Sequence, residues 1–199
     1  MRTTGGELLA PSNMRRSKQM ENQRGNCMNV PDREIRSSTL SIRPIGVILT
    51  QFSTNRGVPI QSAMSDETGV AVVEDRYAEG LDSLEQFSHA ILLYWFHQAR
   101  KYALRVTPYL DNRPRGVFAT RAPARPNPIG LSIVRIERIE GNRIYFRGAD
   151  MVNGTPLIDI KPFVPEFDNR PDAVSGWLER PLSEREDIVR ADGRFQRTP

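Results

Sequence analysis

The feature that most constrains the fold is a pair of apolar segments joined by a two-residue turn. Residues 131–139 and 144–146 flank the dipeptide Gly141-Asn142, and such a dipeptide is typical of a tight β-hairpin turn. In the second arm Ile144 and Phe146 alternate with Arg143, Tyr145 and Arg147, so one face of the strand is apolar and the other is basic. The pattern predicts an antiparallel hairpin with one buried face.

Other short apolar runs, rich in β-branched residues, surround this hairpin. They lie at residues 45–49, 69–73, 90–96 and 116–120, and a last strand interrupted by prolines is expected at 155–164. Residues 90–96 are apolar on both faces, which indicates a central strand. The best helical pattern is a turn or two near residues 81–87. Short strands separated by turns favour a small barrel or closed sheet, whereas a Rossmann sheet needs crossover helices that this sequence lacks.

The two ends of the chain differ in composition from its middle. Residues 1–40 are polar and contain no aromatic residue, so we expect a disordered leader there. We expect the folded domain at residues 41–178 and a charged tail at 179–199, in which Ile188-Val189 dock as a short helix. Neither a run of roughly 20 apolar residues, as in a membrane-spanning helix, nor the apolar region of a signal peptide is present. The sequence therefore predicts a cytoplasmic protein.

Cysteine and histidine are too scarce for the usual metal chemistry. Cys27 is the only cysteine and lies in the predicted leader, which excludes a disulfide framework and a thiolate zinc site. The two histidines, His89 and His97, are not in a recognised metal-binding motif. We therefore expect no bound metal.

The chain is basic, with a net charge of +4 and a pI near 9.6. Only three of its 28 basic residues are lysine, and the planar fork of arginine suits phosphate binding and stacking on bases. An RNA partner explains this excess of arginine, and a codon bias toward arginine explains it as well. The glycine-rich loops that usually hold phosphates or dinucleotides are absent from the sequence.

The most unusual segment is a proline-rich stretch at residues 120–130. Three prolines within six residues fix the backbone and remove three amide donors, which excludes a regular helix or strand. The resulting stiff loop holds Arg121, Arg125 and Asn127, and a stiff loop loses little entropy when it binds a ligand. A binding loop is one interpretation, and a rigid connector with solvated arginines is the other.

Two other segments carry polar groups at positions typical of a site. Asp159 and Lys161 are two residues apart on a predicted strand, so they point to the same face. They form either an ion pair on a solvated face or part of a pocket beside the turn at residues 153–154. His97 and Gln98 end an apolar strand, where ligand-facing residues occur, although a hydrogen-bonded core histidine fits that position equally well.

In this order, the motifs resemble those of the TrmO family of tRNA methyltransferases. The resemblance covers roughly residues 41–170, and the matching segments are 58–61, 87–89, 96–98, 116–121, 125–132, 154–156 and 159–162. It implies a mainly β protein, a single-sheeted β-barrel with few short helices, that binds S-adenosylmethionine without a Rossmann fold, usually as a homodimer. It also implies methylation of the exocyclic N6 of threonylcarbamoyladenosine at tRNA position 37, 3′ of the anticodon.

The resemblance also assigns residues to the site. The cofactor contacts that it implies are Ile60, Gln61, Ser62, His97, Gln98, Arg121, Leu131, Val152, Asn153, Gly154 and Thr155. The predicted substrate contacts are Arg125, Asn127, Asp159 and Lys161. Asp159 is also the candidate proton acceptor, because the acceptor nitrogen is a weak nucleophile until its proton leaves.

Two positions depart from the family pattern and keep other functions open. Ile60 and Asn153 stand where many relatives carry arginine and aspartate, respectively. One alternative is therefore a non-catalytic module that binds RNA or an adenosyl ligand. Another is a methyltransferase that acts on a different acceptor.

Overall fold

The computed structural model describes residues 40–99, 101–183 and 188–195. The described residues from Ile42 onward belong to a single compact unit. The predicted leader, with Cys27, lies outside the described residues except for Leu40. Within the described ranges, no helix is long and apolar enough to cross a membrane.

Six antiparallel strands close into one barrel. They are β1 (Gly46–Thr50), β2 (Thr68–Val73), β3 (His89–Trp95), β6 (Ile129–Glu140), β7 (Arg143–Arg147) and β8 (Thr155–Pro162). The hydrogen-bonded order is β1-β2-β7-β6-β3-β8, and β8 pairs back to β1. Two short strands, β4 (Arg105–Val106) and β5 (Arg115–Gly116), form a separate two-stranded sheet. The closed barrel confirms the predicted fold class.

Among residues 40–99, 101–183 and 188–195, helical structure is limited to short segments. The α-helices are α1 (Pro165–Asp168) and α2 (Glu179–Ser183), and 3₁₀ helices occur at Ser62–Met64, Asp75–Leu81, Leu84–Gln86, Val117–Ala119, Gly176–Leu178 and Gly193–Phe195. The helical pattern near residues 81–87 corresponds to the two 3₁₀ helices on either side of Ser83. Leu81 and Leu84 from these helices are buried against the barrel core.

The alternation of side chains along the strands fills the barrel. On β3, Ala90, Leu92 and Tyr94 point inward and are buried. β3 pairs with β6 on one side and with β8 on the other, which confirms its predicted central position. Its outer face is apolar as well, but Trp95 on that face is 46% exposed. The described chain therefore leaves the outer face of β3 partly uncovered.

The predicted hairpin is the pair of strands β6 and β7. Glu140 pairs with Arg143 across the turn, and Gly141 has a φ of 57°, a conformation that favours glycine. Asn142 fastens the turn to β2, because its side-chain amide donates to the carbonyl oxygen of Val73 at 2.7 Å. Local turn chemistry thus predicted both the position and the pairing of these strands.

Two predicted elements differ from the structure. The sequence predicts a strand at residues 116–120, but β5 ends at Gly116 and a 3₁₀ helix follows, because the hydroxyl of Thr120 donates to the carbonyl of Val117 at 2.8 Å and closes a turn. The sequence also predicts a helix at Ile188-Val189. The structure has extended backbone there, because the carbonyl of Val189 accepts the amide of Ile60 at 3.1 Å.

Candidate functional site

A cavity of about 320 Å³ lies at one end of the barrel, where β3 ends and β6 begins. Its walls come from the segments around residues 58–61 and 96–99, the proline-rich loop, the start of β6 and the loop before β8. Ala191 and Phe195, which follow the barrel in the chain, also line it. The volume lies within the range of about 300–1,000 Å³ that is usual for small-molecule sites.

Two arginines of the proline-rich loop line this cavity, and one of them also holds the loop together. Nη1 of Arg125 donates to the carbonyl oxygens of Thr120 and Ala122 at 3.1 and 3.3 Å. Nη1 of Arg121 donates to Oε1 of Gln61 at 2.6 Å, and both residues line the cavity. A guanidinium has five N–H donors, so this single contact leaves donors for an anionic ligand group.

His97 brings a polar atom without a partner to the cavity wall. Within the described part of the chain, its Nδ1 is buried and has no hydrogen-bond partner. An unpaired buried polar atom costs about 1–3 kcal/mol. His97 is also one of the residues that line the cavity.

Asp150 places a carboxylate in the cavity, and sequence reasoning missed it. The hydroxyl of Ser132 donates to Oδ1 of Asp150 at 2.6 Å, and the hydroxyl of Tyr94 lies 3.0 Å from Oγ of Ser132. Burial raises the pKa of Tyr94, so the phenol stays protonated. Because Ser132 uses its one hydroxyl proton toward Asp150, the phenol donates the hydrogen bond to Oγ of Ser132. The hydrogen bonds therefore run from Tyr94 to Ser132 to Asp150 and fix the position of the carboxylate.

Removal from water makes Asp150 a weaker acid than an ordinary aspartic acid. Burial raises the pKa of this carboxyl from 3.8 to about 7, although the Ser132 hydroxyl, the Ser62 backbone and the Arg121 charge all act to lower it. A group with a pKa near neutrality both accepts and releases protons at physiological pH, as a general acid–base catalyst must. The sequence contains only a weak indication that Asp150 is a site residue: it is the one charged residue among residues 148–152.

Most of the predicted cofactor residues come together at this cavity. Those that line it are Ile60, Gln61, His97, Gln98, Arg121, Leu131, Val152 and Thr155. Ser62, Asn153 and Gly154 do not line it. Asn153 and Gly154 instead connect the loop before β8 to strand β1 through hydrogen bonds. The side chain of Asn153 accepts the amide of Thr50 at 3.1 Å, and the amide of Gly154 donates to the carbonyl of Ile48 at 2.9 Å.

The predicted substrate residues lie in two different places. Arg125 lines the cavity, and Asn127 is exposed in the same loop. Asp159 and Lys161 lie on β8 and form an ion pair of 2.7 Å with partly exposed side chains. Neither of them lines the cavity. The structure therefore has the local ion pair that the sequence left open as one of two interpretations.

Gly130 leaves room for the hydrogen-bonded chain behind Asp150. An added Cβ at Gly130 would lie 2.2 Å from Cε2 of the Tyr94 ring, and that ring is buried. We expect Gly130→Ala to displace Tyr94 and to lower the free energy of unfolding by about 1–3 kcal/mol. Denaturant titration measures this change.

The matched control for that substitution is Gly116→Ala. An added Cβ at Gly116 meets nothing within 4 Å, so this variant should unfold at nearly the same denaturant concentration as the unsubstituted chain. Equal stability of the two variants would contradict the packing argument at Gly130.

Comparisons with known proteins relate this chain to one family. Residues 47–169 match the family described as the tRNA-methyltransferase O N-terminal domain. A probable S-adenosyl-L-methionine-binding protein of Pyrococcus abyssi is 51% identical over 154 residues, covering 77% of this chain and 83% of that protein. The human tRNA (adenine(37)-N6)-methyltransferase is 34% identical over 143 residues, covering 68% of this chain and 32% of that protein.

Two solved structures of TrmO proteins are also similar to this chain. The crystal structure of TrmO from Pseudomonas aeruginosa superposes with a TM-score of 0.60 at 39% identity, covering 70% of this chain. The match spans 63% of that protein's chain. A second TrmO crystal structure gives a TM-score of 0.61 at 42% identity, covering 70% of this chain and 64% of the other.

Proposed function

The chain belongs to the tRNA-methyltransferase O family, to which residues 47–169 match, and from this we propose that it is an S-adenosylmethionine-dependent tRNA methyltransferase. The proposed acceptor is the exocyclic N6 of threonylcarbamoyladenosine at position 37 of tRNA. One observation carries the proposal: a single cavity is lined by His97 with its unpaired Nδ1, by Arg121 and by Asp150. This set offers a polar ring nitrogen, a cation and a carboxylate to ligands bound there.

The residues of the cavity fit S-adenosylmethionine. Arg121 would pair with the carboxylate of its amino-acid part, because a guanidinium binds carboxylates through parallel hydrogen bonds. Nδ1 of His97 would meet a polar atom of the ligand, and apolar groups such as Val152 and Leu131 would pack against its rings. When bound, the cofactor supplies an electrophilic methyl group on a positively charged sulfur.

We propose Asp150 as the proton acceptor in the reaction. The acceptor nitrogen attacks well only as its N–H proton leaves, and a carboxylate whose pKa is about 7 accepts that proton at neutral pH. The N–H proton would pass to Asp150 as the nitrogen takes the methyl group; the S–CH3 bond of the sulfonium would break and leave a neutral thioether, so the nitrogen ends neutral. Ser132 keeps the carboxylate in a fixed orientation. Asp159, the sequence-based candidate, lies outside the cavity, and we propose Asp150 in its place.

The surface near the proline-rich loop supports an RNA substrate. Phe118 precedes that loop and is 76% exposed, and Tyr102 is 63% exposed in a segment tied to the loop by a hydrogen bond from the Ala103 amide to the Ala124 carbonyl. Bases of single-stranded RNA loops stack on exposed aromatic rings and on arginine planes. We infer that the anticodon loop binds here, with Arg121 at the cavity wall.

A methylation assay tests the proposed function. The protein is incubated with labelled S-adenosylmethionine and with tRNA that carries threonylcarbamoyladenosine, and the nucleosides are then analysed for the methylated product. Unmodified tRNA is the matched control, and we expect no product from it. Binding of both ligands without product would favour a non-catalytic binding module, and product from the unmodified tRNA would favour another acceptor.

We also propose that the chain acts as a homodimer. The outward residues of β3 and β6 form a continuous apolar patch, in which opposite pairs are Ile91 and Ile133, Leu93 and Leu131, and Trp95 and Ile129. Exposed apolar patches mark protein–protein contacts, and a two-fold axis brings the same patch of both copies together. Leu131 also lines the cavity, so the second copy would border the site.

The dimer proposal predicts the effect of a charge in this patch. Ile133 is 39% exposed, and Ile133→Asp should shift the protein from dimer to monomer because the interface would bury an unpaired carboxylate. Light scattering after size-exclusion chromatography measures the mass. Val174→Asp, at a residue 84% exposed outside the patch, is the control, and a dimeric Ile133→Asp variant would contradict the assignment.

Two further proposals concern the domain bounds and the cellular compartment. We propose that residues 41–178 form the TrmO-like β-barrel domain, to whose cavity Ala191 and Phe195 add part of the lining. We also propose the cytoplasm as the compartment in which this protein meets its tRNA.

A further inference from the structure

Residues 189–195, here called the C-terminal segment, pair with one wall of the cavity. The amide of Ala191 donates to the carbonyl of Val58 at 2.7 Å, and the amide of Gly57 donates to the carbonyl of Ala191 at 2.8 Å. Nη1 of Arg190 donates to the carbonyl of Gly57 at 2.9 Å, and its Nη2 lies 3.2 Å from Glu67. The segment therefore pairs an extended piece of backbone with residues 57–60, which include the predicted cofactor residue Ile60.

The other end of the C-terminal segment reaches a different wall. The ring of Phe195 contacts the ring of Tyr109 edge to face, with 5.2 Å between centroids, and Nη1 of Arg194 donates to the carbonyl of Pro108 at 2.6 Å. Phe195 also packs against the buried cluster that contains Ala122 of the proline-rich loop. The segment thus joins the wall at residues 57–60 to the wall that carries Arg121.

We propose that the C-terminal segment is part of the cofactor site and that it docks more firmly when S-adenosylmethionine binds. This inference rests on the proposed function. Ala191 and Phe195 both line the cavity, although the residues that match the family end at 169. The match to the family therefore does not assign them a role.

The contacts of the segment explain why docking and binding are coupled. Its ion pair, Arg190 with Glu67, is partly exposed, and such pairs stabilise a structure by only about 0–1 kcal/mol. Its other contacts are a few hydrogen bonds, the packing of Phe195 against Tyr109 and the cluster with Ala122, and the Arg194 guanidinium over the Tyr109 ring. A ligand that touches Ala191 and Phe195 adds its own contacts to the docked form alone, so binding shifts the equilibrium toward that form.

The first test measures cofactor affinity in the full chain by isothermal titration calorimetry. Ala191→Trp places a large ring at the cavity wall and should weaken S-adenosylmethionine binding at least tenfold. Ile188→Trp adds the same side chain at a residue that is 47% exposed and does not line the cavity, and its dissociation constant should match that of the unsubstituted protein. Thermal melting of both variants shows whether each one is folded.

The second test measures amide hydrogen exchange of the unsubstituted protein with and without S-adenosylmethionine. We expect exchange in residues 189–195 to slow at least tenfold with the ligand, while β7, none of whose residues lines the cavity, changes much less. If the protein binds the ligand but exchange in 189–195 does not change and Ala191→Trp binds as well as Ile188→Trp, the inference is wrong. A protein that binds no S-adenosylmethionine would overturn the proposed function, and this inference with it.

Discussion

Asp150→Asn is expected to lower kcat by about 10²–10⁴-fold, the usual contribution of a positioned general base. The amide oxygen of asparagine still accepts the hydrogen bond from Ser132, but it does not take up the proton of the acceptor nitrogen. The affinity for S-adenosylmethionine should change little. Single-turnover kinetics at saturating cofactor and tRNA measure the loss.

The pH dependence gives this prediction a second readout. Because the pKa of Asp150 is about 7, the rate of the unsubstituted enzyme should rise with pH through neutrality as the carboxylate ionises. Asp150→Asn should lose this rise. The folded state also binds more protons than the unfolded state between the ordinary pKa and the raised one, so folding stability should fall as pH rises through that interval. Melting temperatures at pH 5 and pH 8 should therefore differ less in the variant.

Asp159→Asn is the matched comparison, since it makes the same change in a carboxylate outside the cavity. We expect its rate to stay close to that of the unsubstituted enzyme. If Asp159→Asn lost the rate and Asp150→Asn kept it, the sequence-based candidate would be the proton acceptor and the proposal for Asp150 would be wrong.

Arg121→Ala is expected to weaken S-adenosylmethionine binding by about 10–150-fold, which corresponds to the loss of a hydrogen bond to a charged group worth about 1.5–3 kcal/mol. Arg121 is exposed at the cavity wall and donates a hydrogen bond to the side chain of Gln61, so the fold should remain intact. Calorimetric titration measures the dissociation constant, and thermal melting monitors the fold.

Arg143→Ala provides the control for the loss of one positive charge. Arg143 is exposed on β7 and does not line the cavity, so cofactor affinity should be unchanged. Arg121→Lys should recover only part of the affinity, because an ammonium group lacks the planar fork of a guanidinium. Full cofactor affinity in Arg121→Ala would remove Arg121 from the site.

Local sequence patterns were sufficient to predict most of the barrel. The turn at Gly141-Asn142 and the alternation along β7 are properties of adjacent residues, and they specify a hairpin without reference to the rest of the chain. The prediction of a strand at residues 116–120 was wrong. The pattern of apolar residues carries no information about the hydrogen bond from the Thr120 hydroxyl, which closes a 3₁₀ helix.

The site was harder to predict because its chemistry depends on distant contacts. Ser132 is 18 residues from Asp150, and Tyr94 is 38 residues from Ser132. The raised pKa of Asp150 comes chiefly from burial, which only the closed barrel produces. Alternation correctly placed Asp159 and Lys161 on one face of β8, but it does not say whether that face meets the site.

The order of elements along the chain has a consequence for biosynthesis. The last barrel strand ends at Pro162, and Ala191 follows it. Because translation releases the N-terminal part of a protein first, the nascent polypeptide has all six strands available before the final piece of its binding pocket leaves the ribosome. Until then the cavity lacks the part of its wall that Ala191 and Phe195 supply, so we expect a complete binding site to form only after these residues have emerged.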